Sequence, residues 1–285
     1  MSDSLYVGID AGSSATKCVL ADSAGEILSH AVTSSGFDFM KSAERVFDQA
    51  FRDIGADREQ MVYCVSTGYG RGNVAIADRQ VTEITCHAQG AKKWYPGVRH
   101  IIDIGGQDTK IMHLDADGQL EDFRMNAKCA AGTGTFLESI ALKLGLRLAE
   151  VDALALRSSH ELILNSYCTV FAGTEVIECV KAGKPAEDIA MGLFRSIASR
   201  IREMIPHAAD SIAATGGVVA HCRAMVCALQ NELRAAIQLP PLPQHAGAYG
   251  AALIAIRSGV EGATSADGDE GASAEVASGG GCESC

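Results

Sequence analysis

The sequence predicts an α/β protein built from two related domains. A pattern of buried strand, glycine-rich turn and second strand occurs at residues 5–22 and again at residues 100–115, whereas apolar residues at helical spacing dominate after residue 134. A chain of 285 residues is long enough for two domains of ordinary size. We therefore expect two α/β domains that each begin with the same pair of strands.

The first domain is expected to begin with a strand at residues 5–10, a Gly/Ser turn at residues 11–16 and a strand at residues 17–22. A third strand follows Gly25. Residues 40–54 then carry apolar side chains at the spacing of a helix.

The second domain is expected to repeat this order before it becomes helical. Three pairs of residues correspond between the two patterns: Asp10 with Asp103, Gly12 with Gly105, and Lys17 with Lys110. Helices are predicted at about residues 134–145, 149–156, 169–182, 186–206 and 221–235. Between the last two helices, residues 211–219 predict a short strand that runs into a diglycine turn.

Changes in composition mark the domain boundaries. Three prolines make residues 240–243 a stiff connector, and residues 246–256 form a helix of small residues that can pack closely on another element. The last residues are mostly Gly, Ser, Ala, Asp and Glu, which is typical of disorder. The expected division is a first domain of residues 1–98 with 246–258, a second domain of residues 99–245, and a disordered tail of residues 259–285.

Charge and hydropathy exclude two classes of partner. The net charge of −11 and the absence of a basic run disfavour binding to nucleic acid. No apolar run approaches the roughly 18 residues that would span a bilayer. The first residues have neither the basic nor the apolar segment of a signal peptide. We expect a cytoplasmic protein without a nucleic-acid or membrane partner.

Three glycine turns predict a nucleotide site, although the two commonest patterns, GxxxxGK[ST] and GxGxxG after a strand, are absent. Backbone N–H groups at residues 12–15 and 105–107 are expected to hold phosphate oxygens from two sides. Asp10 and Asp103 precede these turns, where a carboxylate can hold hydrated Mg²⁺ or orient the attacking water. A third turn, at residues 215–218, offers a surface for a nucleoside. The predicted nucleotide contacts are Gly12, Ser13, Ser14, Thr16, Lys17, Gly105, Gly106, Gln107, Gly132, Gly134, Gly216 and Gly217.

Cys129 and Cys168 each lie where a predicted helix begins. A helix N-terminus presents free N–H groups and a partial positive charge, which stabilise a thiolate and an anionic group bound to it. An iron-sulfur cluster usually needs four thiolates, and the separation of 39 residues matches no compact ferredoxin spacing. The two cysteines therefore predict half of a ligand set, with the other half supplied by a second subunit.

Eight segments carry a resemblance to known proteins: residues 8–17, 66–71, 83–88, 103–110, 126–137, 168–171, 214–218 and 247–253. With these segments in order, the chain resembles the actin, hexokinase and sugar-kinase superfamily. More narrowly, it is similar to the activator ATPases of 2-hydroxyacyl-CoA dehydratases and the ATP-binding subunits of benzoyl-CoA reductases. One departure is Ala172-Gly-Thr, where members often carry Ala-Glu-Ser, so this chain lacks that glutamate.

The resemblance implies a two-domain fold with the nucleotide in the cleft. It also implies one 4Fe-4S cluster shared between two subunits, with Cys129 and Cys168 as this chain's ligands. ATP hydrolysis would be coupled to the transfer of one low-potential electron from ferredoxin to a partner that reduces a CoA thioester. Because Cys129 follows closely on the Asp103 strand, a shift at the phosphates would move the helices that carry the cluster.

Within this family, we expect the smaller ATP-binding subunit of a benzoyl-CoA reductase type complex. Tyr249, the short chain and the Gly/Cys tail favour this interpretation. It implies a heterodimer with a larger homologous ATPase subunit, and two further catalytic subunits that carry the CoA-ester site. The alternative is a homodimeric activator of a 2-hydroxyacyl-CoA dehydratase, which satisfies the same ligand count by symmetry.

Two other classes of protein fit less well. A sugar or amino-sugar kinase would leave Cys129 and Cys168 without a purpose, and a non-catalytic nucleotide sensor would not need both Asp10 and Asp103.

Two further groups of residues are not expected to form a metal site. Glu83 and His87 are four residues apart, with Cys86 between them, and we expect a role at the domain junction rather than a metal site. Cys282 and Cys285 have a metal or redox spacing, but they lie in the predicted disordered tail without a second pair.

Overall fold

The structure is a computed structural model that describes residues 4–126, 133–164, 169–205 and 210–266. Within these residues, the strands form two five-stranded sheets with helices packed against both. This architecture confirms the predicted α/β class. No helix in the described part of the chain is both long and apolar enough to cross a bilayer.

The first sheet has the strand order β3-β2-β1-β4-β5. Its strands are β1 (Leu5–Ala11), β2 (Ala15–Ala21), β3 (Ile27–Ser34), β4 (Met61–Thr67) and β5 (Arg79–Gln80). Strand β2 is antiparallel to β1 and β3, whereas β4 is parallel to β1 and β5. Helix α1 (Phe39–Ile54) covers one face of this sheet, and Phe47 lies at the centre of that core.

The second sheet repeats this topology, with the order β10-β9-β6-β7-β8. Its strands are β6 (His100–Ile104), β7 (Thr109–Leu114), β8 (Leu120–Asn126), β9 (Ile212–Thr215) and β10 (Ile237–Gln238). The register repeats as well: Asp10 is paired with Lys17 and Thr67, and Asp103 with Lys110 and Thr215. The correspondences seen in the sequence are therefore equivalent positions in two related sheets.

Helices cover the second sheet, and all but α7, which was not predicted, lie close to where the sequence predicts them. They are α3 (Gly134–Lys143), α4 (Leu148–Ala155), α5 (Thr169–Lys181), α6 (Ala186–Met204), α7 (Gly217–His221) and α8 (Arg223–Leu233). Their apolar side chains share one core with the sheet, in which Leu137 and Phe194 are completely buried.

Helices α2 (Glu83–Trp94) and α9 (Ala246–Ala266) cross at very close range. A Cβ at Gly250 would overlap the carbonyl oxygen of Cys86, and a Cβ at Gly90 would overlap that of Ala246. Only glycine allows this approach. Helix α9 also packs on the face of the first sheet opposite α1, through Tyr6 and its neighbours. Residues 246–258 thus lie against the first sheet, while the domain boundaries themselves stay a prediction.

Helix α9 extends past the residue at which the sequence predicts the tail to begin. Residue 259 was its expected start, but α9 continues to Ala266. The first sheet supports this extension, because Gly259 packs so closely that a Cβ there would lie 2.9 Å from Tyr6 Cε1. The glycine that indicated disorder in the sequence is therefore a packing position.

Candidate nucleotide site between the two sheets

A cleft of about 660 Å³ lies between the two sheets, where β1 and β6 end. Most of the predicted site residues line it: Asp10, Gly12, Ser13, Ser14, Lys17, Asp103, Gly105, Gly106, Gln107, Gly134, Gly216 and Gly217. The structure thus brings together three turns that are far apart in the sequence.

The first two turns touch each other across the cleft. A Cβ at Gly106 would overlap the hydroxyl of Ser14, so this approach requires glycine. The N–H of Gly105 donates to the Asp108 carbonyl at 2.9 Å and closes its own turn. This amide was predicted to hold phosphate and is instead used internally. The N–H groups of Gly106 and Gln107 have no protein acceptor among the described residues, so they remain available to an anion.

Thr16 is the predicted contact that does not line the cleft. Its side chain is completely buried, and its hydroxyl lies 2.9 Å from Ser35 Oγ and 3.0 Å from Ser42 Oγ. These bonds connect the first turn to β3 and α1. Thr16 therefore supports the turn from behind and does not form part of the cleft wall.

Asp10 is buried at the end of β1 and forms an ion pair with Lys17. The Nζ of Lys17 donates to its Oδ2 at 2.9 Å, and the side chain of Lys17 also lines the cleft. The antiparallel register of β1 and β2 places these two residues opposite each other. The ion pair is therefore a direct consequence of the hairpin.

Asp103 is buried at the end of β6 and has several polar neighbours. Its Oδ1 accepts a hydrogen bond from the Thr215 hydroxyl at 3.0 Å, and its Oδ2 lies 3.7 Å from Lys110 Nζ. Burial raises the pKa of Asp103, but His87, Lys110 and Lys17 lower it by more, so the net pKa is below its ordinary value. Asp103 is accordingly ionised at neutral pH.

Lys110 is a buried cation shared by three carboxylates. Its Nζ lies 2.7 Å from Asp108 Oδ1, 3.4 Å from Glu83 Oε1 and 3.7 Å from Asp103 Oδ2. Burial lowers the pKa of Lys110, but these acids raise it above its ordinary value. Burial raises the pKa of Glu83, and Lys110 offsets part of that effect. A fixed positive charge thus lies within the acidic group.

Glu83 and His87 belong to this site, which the sequence did not predict. Both side chains line the cleft, because the first turn of α2 points them between the two sheets. Their spacing of four residues on one helix face was the available signal. Tyr69, His221 and Gln244 also line the cleft and were not predicted.

The predicted cluster ligands, Cys129 and Cys168, and the predicted contact Gly132 lie outside the described residues. The helices that follow the two cysteines begin at Gly134 and Thr169. Among residues 4–126, 133–164, 169–205 and 210–266, no group of three metal-ligating side chains is close enough to hold an ion.

Helix α3 is hydrogen-bonded directly to the second glycine turn, residues 105–107. The N–H of Gly134 donates to the Gly105 carbonyl at 3.0 Å. Thr135 donates to the Gly106 carbonyl through its N–H at 2.8 Å and through its hydroxyl at 2.5 Å. A displacement of this turn therefore acts on α3 without an intermediate element.

The model of the BadF/BadG/BcrA/BcrD ATPase family matches residues 7–255 of the chain. The chain is 38% identical over 251 residues to the 2-hydroxyisocaproyl-CoA dehydratase activator of Clostridioides difficile, covering 87% of this chain and 94% of that protein. It is 30% identical over 219 residues to one of the benzoyl-CoA reductase subunits of Thauera aromatica, covering 75% of this chain and 76% of that protein.

Solved structures agree with this relation. The activator of the 2-hydroxyisocaproyl-CoA dehydratase from Clostridium difficile with bound ADPNP superposes with a TM-score of 0.84 at 36% identity, covering 92% of this chain and 97% of that chain. A ROK family glucokinase from Streptomyces griseus reaches a TM-score of 0.52 at 16% identity, covering 89% and 99%, which shows a shared fold alone. These matches confirm the predicted actin and hexokinase-like fold.

The comparisons correct the choice within the family. The sequence led us to expect a benzoyl-CoA reductase component, but that relative is more distant than the dehydratase activator in both identity and coverage. The alternative, an activator of a 2-hydroxyacyl-CoA dehydratase, is better supported. Tyr249 was a weak signal, because its ring packs against Trp94 and does not line the cleft.

Proposed function

Because the chain belongs to the BadF/BadG/BcrA/BcrD ATPase family, we propose that it is an ATP-hydrolysing activator of a 2-hydroxyacyl-CoA dehydratase. One observation carries most of the proposal. Two aspartates at equivalent strand ends face one cleft, and one of the cleft's turns is hydrogen-bonded to the helix that follows Cys129. This arrangement joins a phosphate site to a segment with a predicted cluster ligand.

The cleft suits a nucleoside triphosphate with Mg²⁺. The N–H groups of Gly106 and Gln107 lack protein acceptors among the described residues, and the contact between Gly106 and Ser14 leaves no room for a Cβ. These residues, with Ser13, would hold phosphate oxygens. Asp10 and Asp103 would serve Mg²⁺ and the attacking water. Bound Mg²⁺ would neutralise charge that develops on the phosphates.

The third turn would hold the nucleoside. Gly216 and Gly217 line the cleft beside His221 and Gln244, whose side chains are joined by a hydrogen bond of 3.0 Å. A Cβ at Gly217 would have only the amide of Gln244 nearby, at 3.6 Å. This side of the cleft is thus open enough for a flat ring system.

Cys129 and Cys168 would supply two of the four thiolates of a 4Fe-4S cluster, and a second copy of the chain would supply the other two. Such a cluster, when bound, accepts and passes on one electron, with ferredoxin as the donor and the dehydratase as the acceptor. Exposed apolar side chains on α3 and α5 support a contact between copies: Leu142, Phe171, Ile177 and Val180 are 79%, 66%, 46% and 51% exposed.

ATP hydrolysis would change the position of α3 through the second glycine turn, residues 105–107, which is proposed to hold phosphate. Gly134 and Thr135 donate to the carbonyl groups of Gly105 and Gly106, while the N–H groups of Gly106 and Gln107 have no protein acceptor among the described residues and would hold the phosphate. Loss of a phosphate would let this turn move and take the start of α3 with it. This provides a local mechanism for coupling between nucleotide and cluster.

Anaerobic purification, iron analysis and native mass measurement test this proposal. We expect two identical chains with about four iron atoms per dimer, and loss of iron with retained ATP binding in Cys129→Ser and Cys168→Ser. Cys227→Ser is a matched control on α8 and should keep the iron. A complete cluster on a monomer, or full iron content in both cysteine variants, would contradict the proposal. A second, different ATPase chain in the complex would favour the benzoyl-CoA reductase type instead.

A further inference from the structure

The imidazole of His87 lies between the two aspartates of the cleft. It comes from α2, and only 6% of its side chain is exposed. Its Nδ1 is 3.4 Å from Asp103 Oδ1 and 3.3 Å from Thr215 Oγ1. The opposite edge of the ring faces Gly247 at the start of α9, beside Asp10.

The hydrogen-bond partners determine which ring nitrogen carries a proton. The single hydrogen of the Thr215 hydroxyl is donated to Asp103 Oδ1 at 3.0 Å. Both neighbours of His87 Nδ1, the Thr215 oxygen and the Asp103 carboxylate, therefore act as acceptors. Nδ1 must be the donor, and the neutral ring has its proton on Nδ1.

Gly247 provides the space that the ring occupies. A Cβ at this position would lie 2.7 Å from His87 Nε2 and 3.3 Å from Asp10 Oδ2. The imidazole is thus confined between Asp103 on one edge and the backbone of α9 on the other. Lys110 approaches Asp103 from its second oxygen, Oδ2.

We propose that His87 is a positioning residue, which fixes the orientation of the Asp103 carboxylate by donating from Nδ1 to Asp103 and Thr215. Together, His87, Thr215 and Lys110 hold both oxygens of Asp103, so the carboxylate cannot rotate freely. An aspartate that serves Mg²⁺ or water needs this fixed orientation, because a misplacement of about 1 Å can cost about 10²-fold in rate. The inference rests on the proposed ATP hydrolysis and assigns a role in it to α2.

Two substitutions distinguish the role of His87 Nδ1 from that of Nε2. The amide nitrogen of asparagine is as many bonds from Cα as His87 Nδ1, whereas that of glutamine is as many bonds away as Nε2. His87→Asn should therefore retain kcat for ATP hydrolysis within about threefold, while His87→Gln and His87→Ala should lose about 10²-fold with little change in KM. Gln89→Ala, on the same helix, is the control and should match the wild type, because the Gln89 side chain accepts a hydrogen bond from the exposed Arg257 and does not line the cleft.

Two readouts do not depend on turnover. The dissociation constant for a non-hydrolysable ATP analogue should change by less than about threefold in all three His87 variants, because a positioning role does not remove uniform binding. Long-range ¹H–¹⁵N NMR of the nucleotide-free wild type should show the His87 ring protonated on Nδ1. Thermal unfolding identifies any variant that does not fold. If His87→Ala does not fold, the comparison of His87→Asn with His87→Gln still tests the proposal.

Equal kcat in His87→Gln and the wild type would overturn the role of His87, as would an equal loss in His87→Asn and His87→Gln. A ring protonated on Nε2 alone would overturn it as well. In each case, hydrolysis by the wild type would leave the proposed function intact. A wild-type protein that binds ATP but does not hydrolyse it, with its cluster and partner present, would overturn both.

Discussion

Asp10 and Asp103 occupy equivalent positions but have different surroundings. Asp10 forms an ion pair with Lys17 at 2.9 Å. Asp103 is contacted by Thr215, His87 and Lys110. The repeated hairpin thus places two similar carboxylates in the cleft, and Thr215 and His87, from outside the hairpin, give Asp103 surroundings of its own.

Replacing either aspartate should affect hydrolysis more than binding. Asp10→Asn and Asp103→Asn should each lower kcat by about 10²-fold or more, because groups that act on developing charge contribute mainly in the transition state. The affinity for an ATP analogue should change much less. Steady-state kinetics and calorimetry measure the two effects, with Asp117→Asn in an exposed turn as the control. Turnover at the wild-type rate in both variants would exclude the assigned roles.

The burial of His245 should make the free energy of unfolding fall in mild acid. Burial, with a contribution from His30, lowers the pKa of His245 to about 4. In the unfolded chain the pKa of a histidine is about 6.5. Between about pH 6.5 and pH 4, the unfolded chain therefore binds a proton at this histidine that the folded chain does not bind. The free energy of unfolding should therefore fall by about 2 kcal/mol from this group between pH 7 and pH 4.5.

Urea unfolding of the wild type and His245→Gln at several pH values measures this effect. The variant should lose less stability than the wild type as the pH falls. His221→Gln, at an exposed histidine, should follow the wild type. The same pH dependence in His245→Gln and the wild type would contradict the assignment.

At the scale of elements, helices α2 and α9 cross at a distance that leaves no room for a side chain at Gly250 or Gly90. Gly250→Ala would place a methyl group onto the Cys86 carbonyl, and overpacking of this kind costs about 1–3 kcal/mol. We expect a lower free energy of unfolding by at least about that amount, measured by urea denaturation. Gly97→Ala is the control, because nothing lies within 4 Å of its added methyl group. Equal stability of the two variants would show that the helices separate without cost.

The sequence predicts buried elements better than exposed ones. The helices over the second sheet match within a few residues, since their apolar spacing reflects one shared core. Strand β8 was missed because nearly all of its residues are exposed, so no alternation of polar and apolar side chains marks it. Asp10 and Asp103 were identifiable from the repeated turn. His87 was not, because its position in the cleft depends on how α2 crosses α9.

At the scale of the whole molecule, the second glycine turn connects two parts of the protein. Its residues Gly105, Gly106 and Gln107 line the cleft, and the carbonyl groups of Gly105 and Gly106 accept hydrogen bonds from the start of α3. The same helix carries exposed Leu142, which supports a contact with a second copy. The hydrogen bonds from Gly134 and Thr135 thus connect the proposed nucleotide site to α3, which also carries part of the proposed dimer contact.

The most direct test of this coupling is the electronic state of the cluster in the anaerobic wild-type dimer. Its midpoint potential and EPR spectrum should be measured with ADP and with a non-hydrolysable ATP analogue. We expect different potentials and different g values in the two states, and a smaller difference in Thr135→Val, which loses the hydroxyl bond to Gly106. Identical potentials and spectra with the two nucleotides, when both are shown to bind, would contradict the coupling between the cleft and the cluster.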